Sequence, residues 1–426
     1  MKEYSSYKKT GIDWLPFMPS HWNLDHLRNF LSMVSVKDKA DKTLLSVTRE
    51  KGVIVRDVDD AESNHNFIPD DLSGYKYVQP GQFVINKMKS WQGSYGVSKY
   101  EGIVSPAYYV CDLQYPNKEF FSRAIRSRAY VSFFAQWSKG IRVGQWDLEP
   151  NALKSIPFFV PTAEEQEQIM RYLDEKTIKI DECICLRERE LQTLNELKQA
   201  EIASVVTRGL NPDVPMKDSG IPWIGQIPAH WDIKRLGTRF HSRTEVNSDL
   251  EFLKAFKFNY GAIVPKDEVG FPEEYADTYV KYTKVTTNDI MINGLNLNYD
   301  FVSQRVAIVP APGIITSAYL VLRPYPYTYS PYFCYLFKAM DSMKLFHGMG
   351  TGIRLTLSFR ELKKQLIPIP PEKEQKEIVA FIEEKLSKID TLIDSLNAEI
   401  ERLKEYKQRL ISDVVTGQIN VQNETI

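Results

Sequence analysis

Pro371–Gly417 reads PEKEQKEIVAFIEEKLSKIDTLIDSLNAEIERLKEYKQRLISDVVTG and carries the pattern that decides the fold. Its apolar residues recur in alternating steps of four and three, at Ile382, Leu386, Ile389, Ile393, Leu396, Ile400, Leu403, Leu410 and Val414. This is the heptad spacing of a coiled-coil helix, and Lys407 interrupts it once. Thr162–Gly209 carries a less regular copy, at Leu173, Ile180, Ile184, Leu191, Leu194 and Val205. Two such stretches in one chain predict two long helices that pair with each other.

The two helices belong to a duplication of the whole chain. Gly11-Ile12-Asp13-Trp14 and Pro19-Ser20-His21-Trp22 return 209 residues later as Gly220-Ile221-Pro222-Trp223 and Pro228-Ala229-His230-Trp231. Because tryptophan is rare, two matched pairs at one offset indicate a true repeat, and only two copies exclude a long solenoid. Duplication about a two-fold axis makes the helices antiparallel and brings residues 8–27 to the foot of the C-terminal helix. The expected fold is therefore nearly circular.

We expect an α+β fold in which the helix pair separates two compact target domains of mixed α/β structure. Short apolar runs such as Phe83–Ile85 and Ile290–Ile292, punctuated by glycine and proline, predict short strands. Thr162 and Glu165 predict a capping box at the start of the first long helix. The predicted boundaries are an N-terminal plug at 1–21, a first domain at 22–160, a central helix at 161–210, a second plug and linker at 211–230, a second domain at 231–369, a distal helix at 370–417 and a tail at 418–426.

Composition points to a globular protein of roughly three domains, with 43% hydrophobic residues in 426. The sequence shows no basic leader before an apolar run and no apolar stretch of about 18 residues, so we expect a cytoplasmic protein without a membrane partner. Four cysteines lack the spacing of metal ligands and are expected to be free thiols. They are Cys111, Cys183, Cys185 and Cys334.

Motifs of catalysis are missing from the sequence. It contains no glycine-rich nucleotide loop, no dinucleotide fingerprint, no Asn/Asp-Pro-Pro-aromatic motif of an amino-methyltransferase and no cluster of zinc ligands. We therefore expect no catalytic residue, cofactor or metal in this chain, although a nuclease site of dispersed Asp and Lys residues is not excluded by inspection. His21 and His230 stand at equivalent positions before a tryptophan and are interpreted as hydrogen-bonded structural residues.

Basic stretches that lack acids lie outside the long helices, although the net charge of the chain is only -1. Residues 72–100 contain four lysines and no acid, and residues 120–146 contain five basic residues and no acid. Residues 301–360 contain Asp341 as their only acid. Because lysines suit phosphates and amides can bond adenine edges, these stretches predict contacts with DNA.

The residues predicted to contact DNA lie in two loops and two glycine turns. Arg305 is the exception and lies in the acid-poor stretch 301–360. Asn86–Gly96 follows one predicted strand, and its amide-rich counterpart Asn293–Tyr299 follows another. Gly140-Ile141-Arg142 and Gly352-Ile353-Arg354 form a matched pair of turns. The candidate DNA-binding residues are Asn86, Lys87, Lys89, Trp91, Gln92, Arg142, Asn293, Asn296, Asn298, Arg305 and Arg354. A hairpin tip made of turn formers, or an arginine that caps a nearby helix, explains these residues about equally well. The tyrosine-rich runs 105–110 and 316–321 are interpreted as core strands.

These elements together resemble the specificity subunit of Type I restriction-modification systems. The resemblance rests on the duplicated plug Gly220–Trp231, the Ser-Pro-Ala-Tyr run at Ser105, the Gly-Ile-Arg turns and the Glu-Gln-x-x-Ile helix start, and it covers nearly the whole chain in the same order. Two departures occur. The second domain has Thr316-Ser317-Ala318-Tyr319, and the first plug has Asp13 and Phe17 where the second has Pro222 and Gln226.

The resemblance implies a non-catalytic subunit whose two target-recognition domains each read one half of a bipartite site in double-stranded DNA. It implies that the long helices bind two methyltransferase subunits, with restriction and translocase subunits joining them. S-adenosylmethionine, ATP and Mg would then be held by those partners. It also accounts for the missing catalytic motifs and for the net charge near zero.

Our hypothesis from the sequence is that the helix pair acts as a ruler between two domains about one turn of DNA apart, ~34 Å. Because the two loops differ, the site should be asymmetric. Four residues inserted just after Pro161 should then lengthen its spacer by one or two base pairs. The alternatives are a coiled-coil scaffold with two protein-binding domains and a self-contained nuclease.

Overall fold

The computed structural model describes residues 3–57, 69, 71–140, 146–259, 261–266, 275–299, 304–352 and 355–422. The chain forms two compact units, Met1–Arg187 with Ala398–Ile426 and Glu188–Asn397. We call these the first and the second unit. The α-helices of the described residues are α1 (Lys118–Ile125), α2 (Arg128–Trp137), α3 (Pro150–Ser155), α4 (Ala163–Arg208), α5 (Ala276–Tyr279), α6 (Ser330–Ser342), α7 (Phe359–Leu362) and α8 (Glu372–Val415). Short 3-10 helices lie at Leu27–Asn29, Ser90–Gln92, Leu236–Thr238 and Leu345–Met349.

The strands are short and follow the same order in both units. Those of the first unit are β1 (Tyr7–Lys9), β2 (Phe17–Pro19), β3 (Asn23–His26), β4 (Leu31–Val34), β5 (Leu45–Thr48), β6 (Gly52–Val55), β7 (Lys76–Val78), β8 (Phe83–Ile85), β9 (Tyr95–Val97), β10 (Gly102–Val104), β11 (Tyr109–Leu113) and β12 (Pro157–Val160). Those of the second unit are β13 (Met216–Asp218), β14 (Gln226–Pro228), β15 (Asp232–Arg235), β16 (Phe240–Ser242), β17 (Phe256–Asn259), β18 (Ala262–Pro265), β19 (Thr283–Val285), β20 (Ile290–Ile292), β21 (Val306–Ile308), β22 (Gly313–Ile315), β23 (Leu320–Pro324) and β24 (Leu366–Ile369).

Strand pairing confirms the predicted duplication. The first unit has a four-stranded antiparallel sheet in the order β4-β11-β8-β9, and the second has β16-β23-β20-β21. The two-stranded pairs also correspond one to one, from β1-β2 with β13-β14 to β3-β12 with β15-β24. Each sheet carries one of the candidate loops. The loop follows a middle strand, β8 or β20, and leads to the edge strand, β9 or β21. The two candidate loops therefore occupy the same place in the same architecture.

The long helices α4 and α8 pair within the chain and run antiparallel, as the heptads predict. Each unit contains part of both helices. Three ion pairs join the helices, and along them the residue numbers rise on α4 while they fall on α8. They are Asp181 with Lys407, Arg187 with Glu399 and Lys198 with Asp390. The heptad residues of α8 are buried or half-buried, Leu396 and Ile400 among the buried ones.

Lys407, the break in the heptad, has a specific partner. Its Nζ donates to Asp181 Oδ1 at 2.7 Å in the first unit, and Lys198 Nζ donates to Asp390 Oδ1 at 2.6 Å in the second. A shift of 209 residues converts one pair into the other. The same charge pair therefore occurs once in each unit, and it favours the antiparallel register over a shifted one because a shift would leave these charges unpaired.

Reversing one of these charges should destabilise the first unit. Lys407→Asp places a carboxylate beside that of Asp181 and is expected to lower the free energy of unfolding by about 1 kcal/mol at low salt. Asp181→Lys in the same chain restores the attraction and should recover most of the loss. Urea unfolding of the two single variants and the double variant measures the coupling. The control Lys388→Asp breaks only a pair within α8, with Glu384, and Asp181→Lys should not rescue it.

The plug of each unit is fastened to the start of a long helix by a tryptophan and a histidine. Trp22 is fully buried and its Nε1 donates to both carboxylate oxygens of Glu165 at 3.1 Å, while His21 Nε2 lies 2.9 Å from Glu165 Oε1. In the second unit Trp231 and His230 make the equivalent bonds to Glu374, at 3.0 and 2.8 Å. This confirms that the two histidines are structural.

Glu165 also joins the two ends of the chain. Its backbone N–H donates to Thr162 Oγ1, and its carboxylate accepts from the Thr162 backbone N–H, which confirms the capping box. Gln422 in the C-terminal tail donates to Glu165 Oε1 at 2.6 Å. Burial would raise the pKa of Glu165, but hydrogen bonds from His21, Trp22 and Thr162 together lower it. The N-terminal plug and the C-terminal tail of the first unit therefore meet at one carboxylate.

The remaining expectations about the chain concern its core and its thiols. Only the last two residues of each tyrosine-rich run lie in a strand, β11 or β23, and of these Val110 and Val321 are buried. The rest of each run is a half-buried or exposed turn, so the interpretation of the whole runs as core strands is wrong. The four cysteines are free, with Cys111 and Cys334 buried and Cys183 and Cys185 exposed. Among the described helices, none has the length and hydropathy to cross a membrane.

Candidate nucleic-acid interface

The loop Asn86–Ser94, which we call the lysine loop, connects β8 to β9 in the first unit. Its ends are joined by the Asn86 backbone N–H, which donates to Ser94 O at 3.0 Å. Asn86 is only 5% exposed, and its Nδ2 donates to the Tyr108 hydroxyl at 3.1 Å. Asn86 therefore braces the loop from beneath, and a direct base contact from it requires a change in this loop.

The other candidates of the lysine loop differ in how far they are free to reach a ligand. Lys89 is exposed and Gln92 is half-buried. Lys87 Nζ is bound to Asp147 Oδ2 at 2.8 Å, and the Trp91 ring lies 5.2 Å from that of Trp146. Residues 146–148 thus lie against the loop, and Leu148 N–H donates to Lys87 O at 3.2 Å. Lys89 is therefore the exposed lysine of this loop, whereas Lys87 is held in an ion pair.

Positive charge accumulates around this loop. Lys76 Nζ donates to the backbone carbonyl of Tyr108 at 2.6 Å, and the hydroxyl of the same tyrosine accepts from Asn86 Nδ2. Partial burial lowers the pKa of Lys76, and the nearby charges of Lys37 and Lys87 lower it further. The two smaller contributions to this pKa come from ammonium groups within electrostatic range of Lys76. Such a cluster attracts phosphates.

The loop Asn293–Tyr299, which we call the amide loop, connects β20 toward β21 in the second unit. Asn293 is half-buried and its Oδ1 accepts from Leu295 N–H at 3.2 Å. Asn296 is exposed and has a φ of 52°. Asn298 is half-buried, and the neighbouring Tyr299 is 77% exposed. Sequence reasoning quoted Tyr299 but did not select it, although an aromatic side chain at the end of an amide-rich turn is a signal for base stacking.

Arg305 was predicted to contact DNA, and the structure corrects this. Its side chain is fully buried, and its Nη1 donates to the carbonyls of Asn293 and Leu295 at 2.9 and 2.8 Å. Its backbone N–H donates to Asp341 Oδ2 at 2.6 Å. Arg305 therefore holds the amide loop from inside, because its side chain is buried and its Nη1 binds two carbonyls of the loop.

The structure brings the candidates of each unit together but says nothing about two of them. Arg142 and Arg354 lie outside the described residues. Sequence reasoning also passed over Arg126, which contacts the same region as the lysine loop and is described below. No group of three or more His, Cys, Asp or Glu side chains that could hold a metal ion occurs among the residues the structure describes.

Comparison with known proteins agrees with this architecture. Residues 277–402 match the family model described as the Type I restriction modification DNA specificity domain. The putative type I restriction enzyme MjaX specificity subunit of Methanocaldococcus jannaschii is 22% identical over 98% of this chain and 97% of its own length. The EcoBI specificity subunit of Escherichia coli is 22% identical over 72% of this chain and 66% of its own.

A solved structure reported for the complex assembly and conformational transition of the type I R-M system has a TM-score of 0.64. It is 14% identical in sequence and covers 94% of this chain and 99% of its own, so it supports the fold alone. Two copies of one fold, each with part of a pair of long helices, define a duplicated α+β protein. The chain is similar over nearly its whole length to a specificity subunit of a type I restriction enzyme.

Proposed function

We propose that this chain is the DNA sequence-recognition subunit of a Type I restriction-modification complex and that each unit reads one half of an asymmetric bipartite site. One observation carries the proposal. Two loops at the same place in identical strand arrangements present different side chains, lysines in the first unit and amides in the second. A shared scaffold with different tips is what two readers of different half-sites require.

The two loops suit different parts of the DNA. The lysine loop favours the phosphate backbone through Lys87 and Lys89. The same loop also carries Trp91 and Gln92. The amide loop, with Asn293, Asn296 and Asn298, favours adenine, whose N6 and N7 can bond an amide bidentately. Arg142 and Arg354 remain proposed contacts to phosphate or guanine.

The long helices are the proposed docking surface for two methyltransferase subunits. Each helix leaves large apolar side chains exposed away from the heptad positions. They are Ile178, Leu186 and Leu197 on α4, and Leu392 and Tyr406 on α8. The methyltransferase subunits would hold S-adenosylmethionine, and restriction and translocase subunits with ATP and Mg would join them. The chain itself would be non-catalytic and would work in the cytoplasm on double-stranded DNA.

Methylome sequencing tests the proposal. Cells that express this chain together with its methyltransferase subunit should carry one bipartite methylated motif. The motif should disappear when the gene for this chain alone is deleted. An unchanged methylome would contradict the proposal. Binding of the assembled complex to a duplex carrying that motif should fall steeply with salt, because released counterions drive it.

Two outcomes would favour the other functions. Capture of proteins by both units with no salt-dependent DNA binding would favour a coiled-coil scaffold. Metal-dependent cleavage of DNA by the purified chain alone would favour a self-contained nuclease.

A further inference from the structure

The turn Thr48–Gly52 between β5 and β6, which we call the hairpin turn, lies beside the lysine loop. A Cβ built on Gly93 would lie 3.9 Å from Arg49 Cγ and 4.0 Å from Arg49 O. The hairpin turn is closed by Lys51 N–H, which donates to Thr48 Oγ1 at 3.1 Å. The two loops come from distant parts of the sequence, yet the fold brings them into contact.

Arg126, between α1 and α2, fastens the hairpin turn to the lysine loop. Its Nη2 donates to Arg49 O at 2.9 Å and to Glu50 O at 2.8 Å, and its Nη1 donates to Tyr95 O at 2.5 Å. Tyr95 is the first residue after the lysine loop. The guanidinium therefore joins the end of one loop to the tip of the other.

Gly52 is required for this arrangement. It has a φ of +71°, and a Cβ at this position would lie 2.9 Å from Arg126 Nη1. A larger residue would push the guanidinium away from the carbonyls that it binds. The turn is thus built around the arginine as well as closed by its own hydrogen bonds.

These three hydrogen bonds of Arg126 go to main-chain carbonyls, so none of them neutralises its positive charge with a carboxylate. Burial lowers the pKa of Arg126, which stays charged because an arginine guanidinium titrates far above neutral pH. This half-buried charge adds to the positive potential at the hairpin turn, where it binds the carbonyls of Arg49 and Glu50. It strengthens attraction of an anion to the surface above it.

The tip of the hairpin turn presents a set of side chains that suits DNA. Arg49, Glu50 and Lys51 are all exposed. Arg49 Nε is bound to Glu50 Oε1 at 2.7 Å, and both side chains are about two-thirds exposed. Because an exposed ion pair contributes little free energy, each side chain can leave the other for a group on the DNA at little cost. Arginine suits guanine, a carboxylate can accept from cytosine N4, and lysine suits phosphate.

We infer that the hairpin turn is a second DNA-contacting element of the first unit and that Arg126 is the positioning residue that holds it next to the lysine loop. The inference rests on the proposed function and adds to it, because it identifies contacts outside the two loops selected from the sequence. Arg49 and Lys51 would touch the DNA, whereas Arg126 would act through them.

The test uses the complex of this chain with its methyltransferase subunits and two duplexes of about 40 base pairs. One carries the motif found by methylome sequencing, and the other has mixed sequence without it. Fluorescence anisotropy gives the affinity of each variant between about 50 and 300 mM salt. Lys51→Ala and Arg49→Ala should each reduce the slope of log affinity against log salt by about 0.9. Each should also weaken binding to the motif duplex about fivefold or more.

Matched controls separate the contact from general effects of charge and folding. Lys9→Ala removes an exposed lysine of β1, outside the acid-poor stretches, and should leave the slope unchanged. Arg28→Ala removes an exposed arginine of the 3-10 helix Leu27–Asn29, and it should leave the ratio of motif to mixed-sequence affinity unchanged. Arg126→Ala should lower that ratio at least tenfold, and Arg126→Lys should recover only part of it because lysine cannot make the same set of carbonyl bonds.

The inference is overturned if Arg49→Ala and Lys51→Ala keep the wild-type affinity and slope while the wild-type complex binds its motif. It is also overturned if Arg126→Ala lowers only the thermal stability and leaves the affinity ratio unchanged. In both cases the proposed function stands. Failure of the wild-type complex to prefer the motif would instead contradict the proposed function.

Discussion

Trp22→Ala is expected to lower the free energy of unfolding by about 3–5 kcal/mol. Trp22 is fully buried, and its ring packs 5.9 Å from that of Tyr4, while its Nε1 donates to both oxygens of Glu165. Truncation leaves a cavity and removes a donor from a buried carboxylate, and both effects destabilise the first unit. Urea unfolding followed by tyrosine and tryptophan fluorescence measures the loss.

The control is Trp14→Ala in the same plug. Trp14 is 43% exposed, although its ring lies 4.6 Å from that of Phe133, so we expect its replacement to cost less than about 2 kcal/mol. Equal losses from the two substitutions would show that the burial and the carboxylate contact of Trp22 contribute nothing beyond the removal of a tryptophan.

The difference between wild type and Trp22→Ala should also depend on pH. The pKa of Glu165 is lowered in the folded protein, so its contribution to stability is fully present above its unfolded pKa, about 4.3, and is lost as pH falls through the folded value. Trp22→Ala removes one of the bonds that lower this pKa. The part of the stability difference that comes from this bond should therefore shrink below about pH 4 and stay constant near neutrality.

The long helices and the duplication could be predicted from the sequence because both are written in regular spacings. A heptad is a local pattern, and a repeat of two tryptophans at one offset needs no knowledge of contacts. The role of Lys407 could have been found in the same way. Asp181 and Lys198 recur as Asp390 and Lys407, and antiparallel pairing of the two copies brings opposite charges together.

The arrangement of the strands and the role of the buried arginines could not be predicted. β3 pairs with β12, and β4 with β11, so strands of three to five residues find partners far along the chain. Arg305 and Arg126 were visible only as basic residues in acid-poor stretches. Their roles depend on which carbonyls the fold places around them, and no local pattern records those contacts. Basic composition marked these stretches as candidates but did not separate residues on their surface from buried residues.

The structure also changes where residues can be inserted to lengthen the helix pair without disturbing its ends. An insertion just after Pro161, as the sequence suggested, would displace Thr162 and Glu165 from the plug that they hold. The middle of the helix pair avoids this. Gln192 on α4 and Ser395 on α8 lie between two of the ion pairs, Arg187 with Glu399 and Lys198 with Asp390. Residues added after both positions leave the pairs on each side intact.

Seven residues added after Gln192 and seven after Ser395 should abolish methylation of the original motif by the assembled complex, with a loss of at least tenfold. One heptad preserves the apolar pattern of both helices. It lengthens the pair by ~10 Å at about 1.5 Å per residue, close to three base pairs at about 3.4 Å each. Any motif that the variant methylates should keep both half-sites and have a longer spacer, which methylome sequencing reads directly. In the control, the same sequences replace residues 186–192 and 389–395 with Arg187 and Asp390 retained, so the helix lengths and both ion pairs are unchanged and the original spacer should be retained. Unchanged methylation of the original motif by the lengthened, folded variant would show that the helix pair does not set the spacer.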